Sequence, residues 1–263
     1  MARRLVVNAD DFGFTRDVNA GIVEAHQRGI LTATTLMANG EAFEDAVRLA
    51  GENPGLDVGV HLVLLGMPGL PASLPECVTA VYGGQLDIYG EFAGQVRKVL
   101  AAGIRPTHLD THKHTHLLPK VLRAVCTVAE EFGIRWVRTP GDFPFAYGRK
   151  GMVSAAMRWR QGGMRREIET AGLQHTDWFT GFSWTGVFTE KELERLMAAL
   201  PEGVTELMCH PGKLGGELEK AGTRLKESRV VELRALTHPA VRGAMEAAGV
   251  ELVGYRDLSS DRS

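Results

Sequence analysis

Four short motifs hold the residues able to do chemistry in this 263-residue chain. Asn8-Ala9-Asp10-Asp11-Phe12-Gly13 closes the first apolar run, and Gly59-Val60-His61-Leu62 places a histidine in another. Residues 107–116 read Thr-His-Leu-Asp-Thr-His-Lys-His-Thr-His, and Met208-Cys209-His210-Pro211-Gly212 comes late. Adjacent carboxylates at the end of a buried strand repel each other, and a cation or a shared proton would relieve them. Asp11 or Thr15 could equally cap the helix that begins near Asp17. His61 sits in an otherwise apolar run, where a polar ring needs a specific partner. His108, Asp110, His112, His114 and His116 alternate, so in an extended segment they would share one face. Leu117-Leu118-Pro119 starts a helix, so the extended part is expected to end near residues 110–112. Histidines and a carboxylate converging there suit a divalent metal with nitrogen and oxygen ligands. The spacing matches neither H-E-x-x-H nor a zinc finger. His210 precedes a Pro-Gly turn. It is free to be a general acid, a more remote partner of the site, or a histidine bonded within the turn.

These motifs share one place in the pattern of elements. Short β-branched runs at 5–8, 31–38, 56–64, 106–110, 134–139, 204–209 and 250–255 read as strands. Helical patterns at 18–28, 42–52, 92–102, 120–132, 152–171, 191–200 and 223–248 lie between them. Gly29, Gly103, Gly133 and Gly249 stand where helix C-cap glycines belong. Thr189 with Glu192 makes a capping box, and Pro239 suits a first helical turn. Strand–helix alternation implies parallel strands covered by helices. Seven strands in one domain spanning 1–263 fit an irregular (β/α)7 barrel better than an open sheet. Every motif then falls at the C-terminal end of a strand, the rim where barrel active sites form. The Pro/Gly-rich stretch 66–87 reads as a long loop, and 143–166 as a basic insertion; long loops in compact domains are often functional.

Composition excludes several classes. The net charge is −2, with no acidic or basic tail, so nucleic acid is not an expected partner. The first apolar run is only about four residues long and ends in carboxylates, unlike a signal peptide. Nowhere do about 18 apolar residues run uninterrupted, so no span is expected. Cys77, Cys126 and Cys209 are odd in number and form no C-x-x-C pair, so buried free thiols in a reducing cytoplasm are expected.

Taken in order, Asn-Ala-Asp-Asp-Phe-Gly, Gly-Val-His-Leu-Val-Leu, residues 107–116 and Met-Cys-His-Pro-Gly resemble the carbohydrate deacetylases of the YdjC-like family. The likeness runs from Leu5 to about Asp257. Residues 32–40, 52–64 and 180–186 are most similar to its hopanoid-biosynthesis branch (HpnK), rather than to its chito-oligosaccharide branch (ChbG). The resemblance implies an irregular seven-stranded barrel with one divalent metal ion, zinc or magnesium. It implies Asp11, His61 and His112 as the metal ligands, Asp10 as the catalytic base and His210 as the acid that completes the site. It carries no ligand role onto His114 or His116. Lys113 stands where the chito-oligosaccharide branch can have histidine, a departure beside the ligands rather than among them.

The implied reaction is removal of an acetyl group from an N-acetylated amino sugar or glycolipid. A metal-dependent isomerase or phosphoester hydrolase on a similar barrel is the competing enzymatic reading. Such sites generally want more carboxylates around two metals, or a basic phosphate cradle, and fold alone does not decide. A metal- or sugar-binding protein without catalysis would need no base and acid. Residues 149–166 hold six basic residues and no acidic one, mixed with Met152, Val153, Met157, Trp159 and Met164. That mixture suits either a solvated basic helix or a peripheral contact with the inner face of a membrane. Gly162-Gly163 is expected to weaken a continuous helix there. A second copy of the chain, as a homodimer, is a further candidate partner.

Overall fold

The computed structural model describes residues 2–143 and 151–260. Arg149 and Lys150, at the start of the basic stretch, lie outside the described residues. In chain order the elements are β1 (Arg3–Phe12), α1 (Arg16–Arg28), β2 (Ala33–Leu36), α2 (Phe43–Glu52), β3 (Asp57–Leu62), α3 (Leu74–Tyr82) and α4 (Ile88–Ala101). There follow β4 (His108–Thr111), a 3-10 segment (His112–Leu117), α5 (Pro119–Phe132), β5 (Trp136–Val137), α6 (Gly151–Thr170), β6 (Trp178–Thr180) and α7 (Glu190–Ala199). The chain ends with β7 (Gly203–Cys209), α8 (Gly216–Lys220), α9 (Glu227–Thr237), α10 (Pro239–Ala247), β8 (Val250–Leu252) and α11 (Tyr255–Ser260).

All pairings are parallel, in the order β5-β4-β3-β2-β1-β7-β6. Short β8 adds to the start of β1. The two edges approach each other through single bridges, Trp136 to Gln174 and Asp142 to Phe179. Phe143 N donates to Phe179 O at 3.1 Å. The sheet is thus a curled seven-stranded barrel joined along one seam by isolated bridges rather than a full ladder. Leu5, Val7 and Ala9 pack outward into the apolar layer beneath the helices. The alternate residues Val6, Asn8 and Asp10 face the interior, as a period of two requires. Val6, Ala33, Trp136, Val204, Tyr255 and Leu258 form the apolar floor. Polar residues fill the levels above it.

Several expectations change. The stretch 66–87 contains α3, started by the Ser73 side chain accepting from Glu76 N, with Pro75 in its first turn. From Gly151 onward the basic insertion is one helix, which runs through Gly162-Gly163. Met157, Met164 and Ile168 bury one of its faces, a packing gain that overrides the glycines' intrinsic cost. The helical pattern at 223–248 is divided at Pro239 into α9 and α10. Gly29 is not a left-handed cap (φ −121°). Glycine is needed there because a Cβ would stand 2.4 Å from Leu236 O. Gly103, Gly133 and Gly249 do take positive φ, and the Thr189–Glu192 capping box is present. All three cysteines are buried and free. Among the described residues no helix is long and apolar enough to cross a membrane.

Candidate active site

At the C-terminal rim the barrel opens into a cleft of about 640 Å³, with Asp10, Asp11, His61, His112 and His210 at its base. Phe14, Met37, Leu65, Met67, Leu74 and Leu225 form apolar walls above them.

Successive strand residues point to opposite faces, yet both Asp10 and Asp11 reach this base. The β1–β2 register shifts between Ala9 and Phe12, and Asp11 takes φ +71°. That irregularity turns Asp11 back toward the rim. The only other non-glycine residues with positive φ among the described ones are Lys113 and His114, at +53° and +54°. They sharply turn the chain just after His112. All three strained residues therefore line the same cleft, where such strain is characteristically concentrated.

Asp11 Oδ1 lies 3.6 Å from His61 Nε2 and 3.6 Å from His112 Nδ1, and the two nitrogens are 3.3 Å apart. Ligands about 2.1 Å from a tetrahedral zinc ion stand about 3.4 Å from one another. The residues present therefore fit a single divalent cation. His61 Nδ1 faces Asp110 Oδ1 at 2.7 Å, so its N–H donates there and Nε2 is left as the donor atom toward a metal. Thr35 Oγ1 donates to the other Asp110 oxygen at 3.2 Å. Burial alone would lower the His61 pKa. Asp110, Asp10 and Asp11 outweigh it and raise the ring to about 9, so in the metal-free protein a proton balances these carboxylates.

Asp10 is held by Arg138, whose Nη1 donates to Oδ2 at 2.9 Å and Nη2 to Oδ1 at 2.7 Å. Asn8 Nδ2 adds a bond to Oδ1 at 3.1 Å. Oδ1 is thus doubly engaged, and Oδ2 faces His210 Nε2 at 4.0 Å. Although burial opposes ionisation, Arg138 and His61 hold the Asp10 carboxyl well below the usual carboxylate range. Arg138 also pairs with Asp110, and with Glu206 at 2.7 Å, entirely inside the barrel. Burial raises the Glu206 pKa, against the pull of Arg138.

His210 ends β7. Its backbone N–H donates to buried Glu232 at 2.6 Å, while its Nδ1 has no partner among the described residues. Burial lowers its pKa to about 4 despite the nearby aspartates, so the ring is neutral at rest. Burial raises Glu232 to about 7, and its other oxygen accepts from Gly186 N at 2.9 Å.

The five residues singled out from the sequence therefore meet, but the histidine-rich segment divides. His112 joins Asp11 and His61. His114 lines the cleft farther out. His116 turns away, with Nε2–H donating to Arg138 O at 3.0 Å and Nδ1 accepting from Thr111 Oγ1 at 2.5 Å. His108 lies deeper, stacked on Tyr255 with ring centres 3.9 Å apart, and donates to Asn8 Oδ1 at 2.9 Å. Gly59 makes room for it, since a Cβ there would lie 2.7 Å from the His108 ring. Five histidine-segment positions cannot share one face, because the strand ends at Thr111 and a 3-10 turn follows.

Arg138, Arg229 and Glu232 escaped the sequence reading. Asp110 was visible as one of the alternating residues. The two arginines gave no local signal, and Glu232 lay within an ordinary helical charge pattern.

The model of the YdjC-like protein family matches residues 4–247. A carbohydrate deacetylase of Geobacillus stearothermophilus is 34% identical, over 98% of this chain and 99% of that protein. A chitooligosaccharide deacetylase of Serratia marcescens is 32% identical, over 98% of this chain and all of that one. Among solved structures, a candidate cellobiose-phosphate cleavage protein of Enterococcus faecalis superposes with a TM-score of 0.80. It is 25% identical and the match covers 98% of this chain and 99% of that one.

Proposed function

This chain belongs to the YdjC-like protein family, and from that premise we propose that it is a metal-dependent carbohydrate N-deacetylase. The observation that carries the reading is the triangle of Asp11 Oδ1, His61 Nε2 and His112 Nδ1 set beside the paired Asp10 and His210. Relatives over nearly the full length named as carbohydrate and chitooligosaccharide deacetylases supply the substrate class.

A divalent ion held by Asp11, His61 and His112 would acidify a water and polarise the acetyl carbonyl. One carboxylate and two imidazoles favour zinc over magnesium on ligand softness. Asp10 Oδ2, ionised and fixed by Arg138, takes the proton of the attacking water. His210, neutral at rest, relays a proton to the leaving nitrogen, because an amine anion cannot depart. Asp10 Oδ2 and His210 Nε2 stand 4.0 Å apart, close enough to act on the same reacting centre. Loss of stoichiometric metal in His112→Ala, with metal kept in Asp10→Asn, is the expected result of metal analysis. Equal metal in wild type and His112→Ala would remove the ligand assignment.

The finer reading is an N-acetylglucosaminyl hopanoid, reached by a cytoplasmic enzyme that visits the membrane surface. On α6, Met152, Val153 and Trp159 are exposed, Trp159 by 87%. Ser154 bonds Asp142 at 2.8 Å, and Gln161 bonds Thr139 O at 2.8 Å, fastening this helix to the chain that leaves β5 at the barrel rim. Exposed Trp and Met beside arginines on such a helix favour an interface with anionic headgroups. Three buried thiols suit a reducing compartment. The second reading, a chitooligosaccharide deacetylase working on soluble sugars, is favoured by the Serratia relative. Comparing soluble N-acetylglucosamine oligomers with lipid-linked N-acetylglucosamine in anionic vesicles separates the two. Preference for the soluble oligomers, unchanged by Trp159→Ala, would select the second.

A further inference from the structure

Arg229, in the first turn of α9, is 1% exposed and lines the cleft. Its Nε donates to Leu225 O at 3.2 Å, and its Nη2 to Asp11 Oδ2 at 2.5 Å. Asp11 thereby divides its oxygens, Oδ2 to the arginine and Oδ1 to the two imidazoles. Arg229 Nη1 has no partner among the described residues. A guanidinium stays charged at any pH of interest, and a buried N–H left unbonded is costly. The surrounding chain is nevertheless shaped to hold this side chain. Gly212 of the Pro-Gly turn would, with a Cβ, stand 3.0 Å from Arg229 Cδ. Gly21 on α1 would likewise meet the Gly212 backbone at 2.4 Å. Two helices and a turn close around the arginine only because both positions are glycine. The other cations around the cleft differ. Lys113 and Arg224 are exposed, and buried Arg138 is engaged by three carboxylates.

We propose that Arg229 is a further catalytic residue, whose Nη1 donates to the acetyl oxygen as that oxygen becomes negative, and then to the acetate released. The inference rests on the deacetylase reading. In that reaction water oxygen bonds to the acetyl carbon, and the carbonyl electron pair moves onto its oxygen. When the carbon–nitrogen bond breaks, nitrogen takes that bond's electrons and a proton, leaving amine and acetate. The starting amide is neutral, whereas the adduct and acetate each carry one negative charge. A guanidinium N–H bonds the charged forms more strongly, so it stabilises them over the substrate.

The test uses full-length wild type, Arg229→Gln and Arg229→Lys, each loaded to one equivalent of zinc, with sodium acetate as the probe. Acetate inhibition of N-acetylglucosamine-oligomer hydrolysis and acetate binding by NMR are both measured. In Arg229→Gln, acetate should bind about 10- to 100-fold more weakly, the range for a hydrogen bond to a charged group. Its kcat should fall about 100-fold, as for loss of one oxyanion donor, with KM nearly unchanged. Arg229→Lys should lie between. Equal acetate binding by loaded wild type and Arg229→Gln would overturn the inference and leave the deacetylase reading standing. Wild type that releases no acetate from any N-acetylglucosamine substrate would sink both. Wild-type crystals soaked in acetate give a readout independent of variant folding. A carboxylate oxygen is expected about 3 Å from Nη1, and acetate bound in the cleft away from Arg229 would contradict it.

Discussion

Replacing Arg138 by methionine should cost the metal-free protein about 3 kcal/mol, at the lower end of the 3–5 kcal/mol typical of breaking a buried ion pair. Methionine keeps most of the apolar stem and removes the charge and every donor. Three carboxylates, Asp10, Asp110 and Glu206, then share the barrel interior without their guanidinium. Two features hold the cost down. His61, raised to about 9, stays protonated beside Asp110 and Asp10. Glu206, already raised by burial, can take up a proton. In a chain of this length each kcal/mol moves Tm by about 2–4 °C, so a fall of about 6–12 °C is expected. Thermal unfolding followed by circular dichroism at neutral pH reads it directly. Glu206→Gln is the matched control. It leaves Arg138 on both aspartates, so its loss should stay within about 1 kcal/mol. A Tm for Arg138→Met within about 2 °C of wild type, or Glu206→Gln equally damaging, would refute the picture of one cation neutralising three buried acids.

Other consequences are open to measurement. His210→Ala should slow hydrolysis of an unactivated acetamide far more than of an ester with a good leaving group, since only the poor leaving group needs a proton; equal losses would make His210 an orienting residue. Burial lowers the His116 pKa from 6.5 to about 3, so this ring stabilises the fold above pH 6.5 and the contribution is lost as pH falls toward 3. The unfolding free energy of wild type should therefore fall more steeply than that of His116→Gln between pH 6 and 4, by up to about 1.4 kcal/mol per unit; identical slopes would place the titration elsewhere. Gly212→Ala should cost about 1–3 kcal/mol in urea unfolding, from crowding of Arg229, and a neutral effect would show that the turn has room to give.

The barrel was legible because its strands are short apolar runs separated by helical periodicity, and because its polar residues fall at strand ends. Asp10, Asp11, His61, His112 and His210 could be read from that placement together with motif resemblance. What joins them could not. Arg138 lies 128 residues from Asp10, and Arg229 lies 218 from Asp11. Contacts of that separation leave no periodic trace in a single sequence. The turn of Asp11 into the site depends on a register shift and positive φ, which the doubled aspartate alone does not reveal. The helix in 74–82 was hidden by flanking prolines and glycines, and β6 by having only three residues. The glycines of α6 misled in the opposite direction, because burial of Met157, Met164 and Ile168 outweighs helix propensity.

The most direct test of the central claim is acetate release from N-acetylglucosamine oligomers and from lipid-linked N-acetylglucosamine, measured before chelation, after it, and after one equivalent of zinc is returned. Asp10→Asn is carried alongside with its bound metal quantified. The account predicts release that stops on chelation and returns with zinc, and an Asp10→Asn protein that binds the metal yet turns over about 100-fold or more slowly. Undiminished release by fully metal-free wild type, or a normal rate from metal-loaded Asp10→Asn, would contradict it.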